Sequence, residues 1–113
     1  QQRAAEIWSV GRVKYQLVYQ PHAAEELDRA IEWSFSHFPN QAEEWCGELL
    51  DAIETLVSDP HRYPLARENG QFEQTIRQLL FGRGKSIYRV LYAIQDDVVR
   101  IVHIRYPGQP LLR

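Results

Sequence analysis

FGRGKSIYRVLY, Phe81 to Tyr92, decides between two quite different molecules. Its triplet Gly84-Lys85-Ser86 is the closing half of a nucleotide-binding loop, G-x-x-x-x-G-K-[ST], which cradles phosphate between a strand and the N-terminus of a helix. The residue five places before Gly84 is Leu79, so the first glycine of that loop is missing. From Ser86 to Ile94 the chain runs SIYRVLYAI, rich in Tyr, Val and Ile, and reads as a strand where a helix is required. The glycines instead supply the positive-φ positions of a hairpin loop, Gly82 to Lys85. No nucleotide is implied, and no other motif asks for a cofactor.

Reading outward from that hairpin, QTIRQLLF (Gln74 to Phe81) is its first strand, and VVRIVHIRY (Val98 to Tyr106) comes after a tight turn at Gln95-Asp96-Asp97. Three strands with short loops predict an antiparallel meander. Near the N-terminus, RVKYQLVYQ (Arg12 to Gln20) alternates Val13, Tyr15, Leu17 and Tyr19 and reads as another strand. Pro21 suits a first helical position, and Ala23, Leu27, Ala30, Ile31, Ser34 and Phe38 then line one helix face up to Pro39. Asn40 and Glu43 have the spacing of a capping box for a second helix, along which Ala42, Trp45, Cys46, Leu49, Ile53, Leu56 and Val57 recur at three- and four-residue steps. Ser58 to Gln71, with two prolines and a glycine, reads as loop. The expectation is an α+β fold ordered β-α-α-β-β-β, a helix hairpin packed on one face of a small, mainly antiparallel sheet.

A chain of 113 residues is one domain's worth, burying roughly 65% of its unfolded surface. Residues 13–113 are expected to form that domain, with 1–12 as an N-terminal extension or remnant. The one cysteine, Cys46, has no internal disulfide partner, and no run is long and apolar enough to span a membrane, so a cytoplasmic protein is expected. Cys46 falls on an apolar helix face and is read as a buried, inert thiol. His22, His37, His61 and His103 are scattered, with no H-x-x-x-H or similar pairing, so no metal site is expected. The net charge of −2 hides a separation: residues 1–61 carry four Lys/Arg against eleven Asp/Glu, and residues 62–113 carry nine against four. A basic surface from the second half attracts nucleic acid or an acidic polypeptide, and the acidic first half repels both.

The meander also gathers cations. Arg77, Lys85, Arg89, Arg105 and the phenol of Tyr106 come from successive strands and one turn. Arg89 interrupts an apolar run, so it either snorkels to the rim or lines a polar concavity on the face opposite the helices; otherwise these are solvated arginines on an open sheet face.

The order of these elements resembles the RelE/ParE superfamily of bacterial type II toxins over about residues 13–112. The pieces that carry the resemblance are YQPHAAEELDRAIEW, AIETLVSDPHRYP, IRQLLFGRGKSIYRVLYAI and DDVVRIVHIRY, with Tyr88-Arg89 and Tyr92 as the most recognisable segment. The resemblance implies a growth-arresting toxin held in check by a cognate antitoxin through an extended or helical acidic-apolar segment. ParE-like members inhibit DNA gyrase by binding; RelE-like members cut mRNA in the ribosome. Under the nuclease alternative Arg89, Arg105, Tyr106 and Lys85 would be catalytic; under the binding reading Arg77, Arg83, Lys85, Arg89 and Arg105 would meet the target or the antitoxin. A third alternative is an inactive toxin fold kept as a binding module. Members of both kinds often continue with further Arg, Lys or His, and the cleaving ones with a late Tyr, His or Phe, where this chain has Pro107-Gly108-Gln109-Pro110-Leu111-Leu112. Together with an isoelectric point near 6.1, which suits RNA phosphate poorly, that departure favours gyrase over the ribosome.

Overall fold

In the computed structural model, which describes residues 14–112, β1 (Gln16–Tyr19) leads into two helices, α1 (Pro21–His37) and α2 (Ala42–Glu54). Two 3₁₀ turns come next, Thr55–Val57 and Pro60–Arg62, and then β2 (Arg77–Arg83), β3 (Ser86–Gln95) and β4 (Val98–Arg105). The four strands form one sheet in the order β1-β4-β3-β2. β2, β3 and β4 are the expected antiparallel meander, whereas β1 runs parallel to β4, with Gln16 opposite Val98. A parallel partner needs a long crossover, and here everything between β1 and β4 supplies it. Residues 1–12, expected to be an extension, lie outside the described residues.

The FGRGKSIYRVLY hairpin is built as its glycines demand. β2 continues to Arg83, which pairs with Ser86, so the turn is only Gly84-Lys85 and not the four residues expected. Gly84 has φ +58° and Gly82 φ +126°. A Cβ on Gly82 would lie 2.0 Å from the Ser86 carbonyl oxygen, so only glycine fits there.

α1 starts with Pro21 and stops at Phe38, whose N–H donates to the Ser34 carbonyl just before Pro39. The capping box expected at Asn40 and Glu43 does not form. α2 begins one residue later, its N-cap is Gln41 without a side-chain bond, and Glu43 and Glu44 instead sit in the first turn, where the positive end of the helix dipole favours them. The two helices bury Ala23, Ala30, Leu49 and Ile53, joined by Leu56, against Leu79, Tyr88, Val90, Tyr92, Val99, Ile101 and Ile104 of the sheet. Cys46 is buried as expected, its Sγ 3.3 Å from the Ser34 hydroxyl. Val99, Ile101 and Ile104 break the two-residue strand period because Tyr92 pairs with Ile101 and Leu91 with His103, leaving an extra residue on β4.

The opposite face of the sheet is not open, as a two-layer reading would have it. Ala66, Ile76, Leu91 and Ala93 form a second buried cluster, with Phe72, Val102 and Leu112 packed on it. The irregular chain between α2 and β2 and the C-terminal tail thus cover that face. No helix among the described residues is long and apolar enough to cross a membrane.

Candidate partner-binding site

The cations that the sequence groups together are divided by the structure among three places. Arg89 and Arg105 lie opposite each other on β3 and β4, an arrangement of like charges that costs energy unless each is compensated. Arg89 is compensated by Glu68 from the covering loop: Nη1 donates to Oε2 at 3.0 Å and Nη2 to Oε1 at 2.6 Å. Its Nε and Nη2 also donate to Oε1 of Gln78, at 3.2 and 2.9 Å. The pair is out of solvent, the side chains being 14% exposed for Arg89 and 0% for Glu68. Hydrogen bonding by Arg89 holds the Glu68 carboxyl below the usual carboxylate range, against the opposing effect of burial; the backbone N–H of Leu112 also donates to it. Arg105, also buried, donates from Nη2 to the carbonyl of Pro110, while its Nε meets no acceptor among the described residues.

Arg77 serves the same covering chain. Its Nη1 donates to the carbonyls of Tyr63 at 2.6 Å and His61 at 3.3 Å. Arg83 and Lys85, by contrast, are exposed on the β2–β3 hairpin and make no ion pair among the described residues. Tyr106, 57% exposed, is parted from Arg105 by strand alternation and faces the helix side.

On that side lies a cleft of about 600 Å³, which sequence reasoning missed. Its apolar walls are Trp33 of α1 and Phe38 at its end, Trp45 of α2, Tyr88 and Ile104 of the sheet, and Tyr106 at the rim. The aromatic rings form a chain of edge-on contacts, Trp33 to Phe38 to Trp45 to Tyr88, with centroids 5.4–5.9 Å apart. Trp33 is 44% exposed and Tyr106 more so, so the wall presents aromatic surface to solvent. Burial raises the Tyr88 phenol above its ordinary pKa. The signal available in the sequence was Trp33, a large aromatic off the buried face of α1; the depth of the cleft depends on the interhelix turn and could not be read from it.

A family model described as ParE toxin of type II toxin-antitoxin system, parDE, matches residues 7–109 of the chain. Among solved structures, one similar chain comes from the chromosomal ParDE toxin-antitoxin system from P. aeruginosa, with 14% identity and a TM-score of 0.66 over 84% of this chain and 98% of that one. At that identity the likeness concerns the fold. Among curated protein sequences none matches.

Proposed function

We propose a function from one premise: the chain belongs to the ParE toxin family of type II toxin-antitoxin systems. Within that family we assign it inhibition of DNA gyrase by binding, in the cytoplasm, with its action held off by a cognate antitoxin. The observation that carries this choice is the state of Arg89. An RNA-cleaving site needs guanidinium groups free to hold a phosphate and neutralise its developing charge. Here the fork of Arg89 is already filled by Glu68 and Gln78, and Arg105 is bound by the tail. Phosphate would have to displace a bidentate carboxylate from a site that Glu68 occupies with no solvent exposure.

Charge supports the same reading. The outer faces of α1 and α2 expose Glu25, Asp28, Glu32, Glu43, Glu44, Glu48, Asp51 and Glu54, with Arg29 the only Lys or Arg on either helix. Such a surface repels ribosomal RNA and mRNA. For the antitoxin, the aromatic cleft offers a hydrophobic groove of the kind that takes the apolar face of a peptide helix, and Arg83 and Lys85 stand exposed on the hairpin that reaches it through Ser86.

The test is direct. Purified protein is added to a gyrase supercoiling assay and, separately, to a translation reaction in which mRNA integrity is followed. Supercoiling is expected to stop and mRNA to stay whole, and the protein encoded beside this gene is expected to restore supercoiling. Cleaved mRNA with undisturbed gyrase would overturn the assignment.

A further inference from the structure

The sequence spacing of the histidines gave no reason to expect a metal site, yet the fold brings His22, Glu26 and His103 together. Their ligand atoms all lie within 4.8 Å of one another, and no other such group of three occurs among the described residues. We propose that these three residues bind a divalent transition metal of the zinc class, clamping the start of α1 to the far half of β4.

The geometry is set by the end of β1. That strand pairs with β4 only as far as Ile101, so beyond it β4 is an unpaired edge. Glu26 fills the gap: its Oε1 accepts the backbone N–H of Ile104 at 2.8 Å. This bond fixes the carboxylate and leaves Oε2 available, the arrangement by which neighbouring groups orient a metal ligand. His103 sits where the extra residue of β4 disrupts the ladder, with Nδ1 at 3.3 Å from both carboxylate oxygens. His22, four residues before Glu26 and hence on the same side of α1, has Nε2 3.8 Å from Oε2.

In a tetrahedral site with bonds of about 2.0–2.2 Å, ligand atoms stand roughly 3.3–3.6 Å apart. The Glu26–His103 contact already has that spacing, and the His22 contact is slightly longer. The ligand atoms as a group reach up to 4.8 Å apart, so closing the triangle asks the His22 ring to move inward; its side chain is 64% exposed and able to do so, while Glu26, at 9%, is held. Two imidazoles and one carboxylate select zinc, nickel or copper over magnesium or calcium, which take oxygen. Three protein ligands leave a fourth position for water. Glu26 also lines the aromatic cleft, so the ion would sit on its rim.

Full-length protein freed of metal by chelation and titrated with zinc chloride in a calorimeter provides the test. One ion per chain is expected, and His22→Ala should weaken binding by at least about tenfold, the scale on which even supporting groups in metal sites count. Because His22 is exposed, that variant should melt in chelator at the wild-type temperature, and zinc should raise the melting temperature of wild type far more than that of the variant. Cobalt should give the visible absorption of a tetrahedral ion in wild type and lose it in His103→Ala. His61→Ala, outside the cluster, should leave zinc binding unchanged. No saturable binding below about 100 µM, or an affinity that His22→Ala leaves intact, would overturn the proposal and reduce the cluster to a histidine–glutamate contact. Neither outcome depends on whether the chain binds gyrase.

Discussion

The two faces of the sheet are held by different physics. On the helix face, Leu49, Ile53 and Leu56 meet Val90, Tyr92 and Ile101, and nearly every contact is apolar. On the other face a small apolar cluster around Leu91 and Ala93 is flanked by an ion pair, Glu68–Arg89, and by Arg105, which binds a backbone carbonyl of the tail. Apolar contacts are non-directional and tolerate replacement by residues of similar volume. A buried ion pair is directional and fails badly when half of it is lost. The first face therefore supplies bulk stability, and the second fixes the path of the covering loop and of the tail.

The largest effect should come from cutting that pair. Glu68→Ala leaves the Arg89 guanidinium mostly buried with no counter-charge and should cost about 3–5 kcal/mol in urea unfolding. Replacing both residues by apolar ones of similar size, Glu68→Leu with Arg89→Met, should recover most of that loss. If the double variant were as unstable as the single, the second face would depend on more than charge compensation. Acid gives a second reading of the same pair. The Glu68 carboxyl has a lowered pKa in the folded protein, so its contribution is complete above the unfolded value of about 4.3 and disappears as pH falls through the folded one. Glu68→Gln should thus be less stable than wild type at neutral pH, with the gap closing as the solution is acidified. An Arg89→Ala variant that loses toxicity would, by the same logic, have to be checked for folding before any role in chemistry is assigned.

The helix face was legible because helical and strand periods report which side chains share a side. Ala23, Ala30 and Ser34, and Ala42, Cys46, Leu49 and Ile53, are buried where their spacing puts them. The second face was not legible, because its cover is irregular chain in which Glu68 carries no periodic signal. Its partner Arg89 was visible only as an anomaly in an apolar strand, and as such it suggested a surface. The parallel pairing of β1 with β4 was hidden for a related reason: strand spacing marks a strand without naming its neighbour. The His22–Glu26 spacing was present in the sequence, but His103 reaches it only through the early end of β1.

Tyr92 is where the two halves of the molecule communicate, and removing its hydroxyl should have a smaller effect. Its ring is buried among the helix-face residues, while its OH donates to the carbonyl of Pro60 at 2.6 Å, at the start of the covering chain. Burial raises the pKa of the phenol, so it remains a donor throughout the accessible pH range. Tyr92→Phe keeps the packing and leaves a buried carbonyl without its partner, for a loss of about 1–3 kcal/mol. Hydrogen exchange should show the loosening concentrated in residues 58–76 and not in α1 or α2. Equal loosening of the helices would mean that the two faces do not unfold as distinguishable units.

The smallest change in stability should accompany the substitution with the clearest effect on association. Arg83 and Lys85 are exposed on a hairpin whose turn is fixed by glycine backbone, so Arg83→Ala with Lys85→Ala should shift unfolding by no more than about 0.5 kcal/mol. Among the cations expected to meet a partner, these two nevertheless make no ion pair with any described residue. An acidic antitoxin segment approaching the aromatic cleft would be steered by them, and rim charges act chiefly on the rate of association. The double variant should bind the antitoxin several-fold more slowly at low ionic strength, with the difference vanishing near 1 M salt, where screening acts over about 3 Å. A rate unaffected by the substitutions would place the docking surface away from the hairpin. A slower rate that persists in high salt would point to direct, desolvated contacts there, which would make the hairpin part of the interface core and not its rim.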